Sequence, residues 1–93
     1  MKTHAISGEL TIYTAATEKQ ILQTLLDENP ALEVNLAQVT DMDSAGLQIL
    51  IALKTEAAKS EKPLHYVMHS KAVLDILEMT NLVAKFGDQI VLT

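Results

Sequence analysis

The sequence predicts an α/β fold, a mixed β-sheet with helices packed mainly on one face. Two observations carry this expectation. Segments of period-two and helical periodicity follow one another along the chain, in the order strand, strand, helix, strand, helix, strand, helix, strand. Within them, Leu32, Val34 and Leu36 alternate with Glu33 and Asn35. In a doubly wound parallel sheet the central strands are apolar on both faces, whereas here one face is polar. Helices are therefore expected on one side only.

Each element has its own warrant. After a break at Gly8, Leu10 and Ile12 alternate with Glu9 and Thr11, as in a half-buried strand. Thr17-Glu18-Lys19-Gln20 fits a capping box, and Ile21, Leu22, Leu25 and Leu26 follow at helical spacing. Asn29-Pro30 ends that helix, because proline disfavours the α region for the residue before it. Leu32–Leu36 is the next strand. Asp43 or Ser44 caps a second long helix, whose apolar stripe is Gly46, Leu47, Leu50, Leu53 and Ala57. Ile49 and Ile51 widen the stripe near the N-terminal end, so deep burial is expected there. The polar run Lys59-Ser60-Glu61-Lys62-Pro63 turns the chain into a strand at Leu64–Met68. Ser70 caps a helix carrying Val73, Leu74, Ile76 and Leu77, and Ile90–Leu92 is expected as a final edge strand.

Length and composition narrow the function. Ninety-three residues are expected to form one domain, spanning 1–93, since two cores would each bury too little. With one Phe, two Tyr and no Trp the core must be aliphatic, and surfaces for stacking bases are scarce. A net charge of −5 without any basic cluster would repel a phosphate backbone, so no nucleic-acid partner is expected. Cysteine is absent, which excludes disulfides, thiolate metal sites and thiol catalysis. The first nine residues contain no apolar signal region, and no apolar run is long enough for a membrane span. A cytoplasmic protein without direct membrane insertion is the expectation.

The stretch Val39-Thr40-Asp41-Met42-Asp43-Ser44-Ala45-Gly46-Leu47 holds the chemistry. It lies where a strand passes into a helix, and free backbone N–H groups and the positive end of the helix dipole meet there. On residue types alone, Asp43 and Ser44 need be no more than helix caps, since Asp and Ser are preferred caps. A hydrolase elbow is excluded, because Met42 stands where the first glycine of Gly-x-Ser-x-Gly belongs.

The same stretch resembles the signature of the STAS family, the anti-sigma-factor antagonist domains, in which Asp-Ser-(Ser/Thr/Ala)-Gly-Leu opens a helix. Gly8-Glu9-Leu10-Thr11-Ile12-Tyr13-Thr14-Ala15 is similar to that family's Gly-Glu-Leu-Asp-x-x-Thr-Ala, and His69-Ser70 leads into the helix of Val73 and Leu77 as it does there. The resemblance implies a STAS-like mixed sheet with helices mainly on one face. It implies a bacterial signalling phosphoprotein rather than an enzyme. Ser44 would accept phosphate from an anti-sigma-type serine kinase, and a phosphatase would remove it. Asp41, Met42, Asp43, Ala45, Gly46 and Gln48 would line the partner surface. Two departures from the pattern are Thr11, where an Asp is usual, and Ala45, which supplies no second hydroxyl. The Gly-Glu-Leu-Thr-Ile-Tyr-Thr-Ala and Gly-Leu-Gln forms are also similar to STAS proteins associated with chemotaxis. The alternative implied by the family is a constitutive subunit of a larger assembly, such as a lipid-transport ABC system, without phosphorylation.

Other residues suggest little. His4, His65 and His69 share no metal-ligand spacing, and Gly8, Gly46 and Gly87 form no phosphate loop. Asp41, Asp43 and Asp88 are more simply solvated or capping groups than acid–base catalysts. Met42 is expected to be a packing residue. Neither cofactor nor metal is expected.

Overall fold

The computed structural model describes residues 1–80 of the chain. Six elements alternate: β1 (Lys2–Leu10), α1 (Ala15–Glu28), β2 (Leu32–Met42), α2 (Ser44–Lys59), β3 (Leu64–Val67) and α3 (Lys71–Thr80). The strands lie in the order β1-β2-β3, and both pairings are parallel. The edge strand expected at Ile90–Leu92 falls outside the described residues.

Burial alternates along the strands, as a one-sided sheet requires. Ile6 and Leu10 of β1, Leu32, Val34, Leu36 and Val39 of β2, and Leu64 and Tyr66 of β3 are buried. Their neighbours of opposite parity, such as Ala5, Ser7 and His65, are exposed. Leu22 and Leu26 of α1, Leu47, Leu50, Leu53 and Ala57 of α2, and Val73 and Leu77 of α3 complete the core. The α2 stripe is the one that its periodicity predicts, and the Tyr66 hydroxyl donates to the Leu50 carbonyl at 2.6 Å across the layer.

Three local expectations are corrected. The N-terminal region is one strand, not two. Gly8 does not break it but lies within it at φ +83°, in the left-handed region that favours glycine. Nearby, β2 gains a residue on β1 twice, between Ala5 and Ser7 and between Gly8 and Glu9. At the first of these bulges the Asn35 side chain accepts the Ala37 N–H at 2.8 Å, and the inward phase is reset from Leu36 to Val39. Second, α1 starts at Ala15 behind Thr14, so Thr17 is an exposed helical residue rather than a cap. Third, β1 ends at Leu10 and Ile12 is 70% exposed. The turn from Thr11 to Thr14 stops the strand before Ile12 can face the core.

The end of α1 and the start of α3 agree with the sequence, whereas β2 continues past Leu36 to Met42 and β3 stops at Val67, before Met68 at φ 57°. Asn29 is extended (φ −130°, ψ 149°) ahead of Pro30, and Ser70 Oγ accepts the Val73 N–H at 3.3 Å. Lys62, from the polar turn after α2, donates to the Leu26 and Asp27 carbonyls at the C-terminal end of α1. That places a cation where the helix dipole favours one.

Candidate functional site

The C-terminal ends of β1 and β2 and the N-terminus of α2 meet at one end of the molecule. Leu10 and Met42 are register partners there, as are Glu9 and Asp41. The helix comes so close that a Cβ on Gly46 would stand 2.1 Å from the Leu10 carbonyl oxygen and 2.9 Å from its carbon. Only glycine permits that approach. The same carbonyl accepts the Asp43 N–H at 3.4 Å.

Of the two candidate caps, Asp43 takes the role. Its backbone is extended, and its Oδ1 accepts the Gly46 N–H at 3.1 Å. Its Oδ2 accepts the Ile12 N–H at 3.0 Å, thirty-one residues away in sequence. The Ile12 and Gly46 amides favour the charged carboxylate and hold its pKa below the ordinary aspartate value.

Ser44 is the first residue of α2 and is exposed. Among the described residues its hydroxyl makes no hydrogen bond. Asp43 fills the side-chain capping role, so the Ser44 Oγ is not engaged as the cap and lies open to solvent. Asp41 and Gln48 are exposed beside it, Met42 and Ala45 are half-buried, and Gly46 is buried. Met42 packs against the core, as expected of a packing residue. Met42 and Gly46 therefore shape the site from behind, while Asp41, Ser44 and Gln48 present to solvent.

The structure adds two residues that sequence reasoning missed. Ile12 and Tyr13 are 70% and 88% exposed and are tied through Asp43 to the cap of α2. Their turn is dense with hydrogen bonds. Thr14 Oγ1 accepts the Thr11 N–H, Thr11 Oγ1 accepts the Tyr13 N–H, and the Thr11 carbonyl accepts the N–H groups of Thr14 and Ala15. Thr14 Oγ1 in turn donates to the Glu9 carbonyl, and Thr11 Oγ1 to the Glu9 carboxylate. Ile12 and Tyr13 thus form an outward-facing apolar pair on an ordered turn, a candidate contact surface. The Thr11/Thr14 spacing was the available signal, since hydroxyls at i and i+3 favour a turn over a continuing strand.

Among the described residues, no group of three or more His, Asp or Glu side chains gathers to hold an ion. No helix among them is long and apolar enough to cross a membrane.

Comparisons with known proteins give matches of two kinds. A family model described as "Mlab, STAS domain" matches residues 4–91. A solved structure of the anti-sigma factor antagonist SpoIIAA in its unphosphorylated form aligns with a TM-score of 0.73 at 15% identity, covering 97% of this chain and 80% of that one. At that identity the likeness is one of fold. No curated protein matches the chain.

Proposed function

This chain belongs to the STAS domain family, and from that premise we propose that it is a phosphorylation-switched protein-binding module, not an enzyme. The observation that carries the reading is the exposed Ser44 hydroxyl, free of the capping role that Asp43 fills. Beside it stands the exposed pair Ile12 and Tyr13. A serine kinase of the anti-sigma type is the proposed partner, with a phosphatase to reset the site, in a cytoplasmic chemotaxis or stress pathway.

In the phosphorylation step the Ser44 Oγ forms a bond to the γ-phosphorus of ATP on the kinase. The bond from that phosphorus to the ADP oxygen breaks, and the hydroxyl proton passes to a base of the kinase. The product carries about −1.5 to −2 charge at neutral pH. It would stand among Glu9, Asp41 and Asp43, on a surface whose partner contact must be desolvated. Unmodified protein docks; phosphorylated protein is released.

The test is binding of unmodified, phospho-Ser44 and Ser44→Asp protein to the cognate partner, with site mapping by mass spectrometry of protein from its native host. Absence of phosphate at Ser44 together with equal binding of all three forms would leave the second reading, a constitutive subunit of a larger assembly. Thr11 favours that alternative, since it replaces the carboxylate usual near the phosphosite in the family.

A further inference from the structure

We propose that Asp43 is a positioning residue that couples the charge state of Ser44 to the turn bearing Ile12 and Tyr13, so that a phosphate on Ser44 releases the turn. This rests on the switch reading above and adds how the phosphate is read out.

The hydrogen-bond pattern of the turn carries the inference. Of the five consecutive N–H groups from Thr11 to Ala15, four are accepted within the turn itself, by Thr11 or Thr14. The fifth, that of Ile12, is accepted by Asp43. Among the described residues, the turn's own amides are thus tied to the cap of α2 by a single hydrogen bond, from the Ile12 N–H to the Asp43 carboxylate, the side chain next to the phosphoacceptor. Asp43 holds this position with both carboxylate oxygens, Oδ1 on the helix amide of Gly46 and Oδ2 on Ile12.

A phosphate dianion on Ser44 would bear on this arrangement through charge. It repels the adjacent Asp43 carboxylate directly, and the paired strand residues Glu9 and Asp41 add further negative charge at the same end of the sheet. Rotation of the Asp43 side chain away from the phosphate leaves the Ile12 N–H without its acceptor. The internal bonds of the turn survive, so the turn moves as a unit and the Ile12–Tyr13 pair leaves its docking position.

The experiment installs phosphoserine at position 44 of the full chain by an expanded genetic code and follows amide hydrogen exchange by NMR. The Ile12 amide is expected to exchange about tenfold faster or more in the phosphorylated protein, with Val34 and Leu36 of β2 unchanged. In Asp43→Asn, whose single side-chain oxygen carries no charge and can keep either the Gly46 or the Ile12 bond but not both, phosphorylation should alter the Ile12 rate by no more than about twofold. An Ile12 amide indifferent to phosphate in the otherwise native chain overturns the proposal. So does an equal response in Asp43→Asn, because the phosphate would then reach the turn without Asp43. No kinase is needed to make this sample. Absence of phosphate at Ser44 in the native host would therefore defeat the switch reading and leave the coupling measurable.

Discussion

Gly46 rests directly on the backbone of Leu10, with room for no side chain between them. A Cβ at 2.1 Å from the Leu10 carbonyl oxygen meets main chain, which cannot turn aside as a side-chain tip can. Gly46→Ala should therefore push the start of α2 off the end of β1. Overpacking of this kind costs about 1–3 kcal/mol or more. In a domain of this size each kcal/mol lowers Tm by roughly 4–8 °C. A melting temperature equal to that of the native protein would show that α2 can shift freely, and the account of this contact would fail.

Ser44→Ala should change stability by no more than about 0.5 kcal/mol, as is usual for an exposed position that makes no specific contact. The sequence left open a capping role for Ser44, but Asp43 performs it, and alanine is a better helix former than serine. The variant should fold and bind partner while accepting no phosphate. Ser44→Asp should fold as well, because a negative charge suits that end of the helix. Its binding should be weaker, though less so than that of phosphoserine, which carries more charge. Urea titrations and partner-binding isotherms read the two effects separately.

Tyr13→Ala should leave stability within about 0.5 kcal/mol of the native value, since a side chain 88% exposed has little burial to lose. Binding to the cognate partner should fall by about tenfold or more if Tyr13 is a central aromatic contact. Unchanged binding would remove Tyr13 from the interaction surface.

Asp43 makes the acid limb of stability informative. Its folded pKa lies below the ordinary value because the Ile12 and Gly46 amides bind the charged form. A depressed folded pKa contributes stability that is fully present above the unfolded value, about 3.9. That contribution is lost as pH falls from there through the folded value. Asp43→Asn should be less stable than the native protein at neutral pH, and the difference should shrink as pH drops below about 4. Parallel stability curves for the two proteins over that range would contradict this assignment.

Tyr66→Phe tests the link between sheet and helix. The Tyr66 hydroxyl donates to the Leu50 carbonyl at 2.6 Å in a fully buried setting. Removing it should cost about 0.5–1.5 kcal/mol while the ring keeps its packing. Equal stability of the two proteins would mean that this bond contributes nothing net.

Sequence alone determined those features whose causes lie within a few residues. Pro30 ends α1 through its clash with Asn29, Ser70 caps α3, and the spacing of Leu47, Leu50, Leu53 and Ala57 marks the buried face of α2. The alternation from Leu32 to Leu36 likewise announced a sheet covered on one side. Tertiary structure decided what depends on approach between distant segments. Asp43 rather than Ser44 became the working cap because its carboxylate also meets an amide thirty-one residues earlier, a contact that helical periodicity does not encode. Ile12 continues the strand alternation on paper, yet it faces solvent because the hydroxyls of Thr11 and Thr14 close a turn at the end of β1. The glycine of the motif looked like a small stripe residue until the carbonyl of Leu10 was found against it. Periodicity records which face of an element is apolar; how closely two backbones come together is set by packing, and there the candidate site is made.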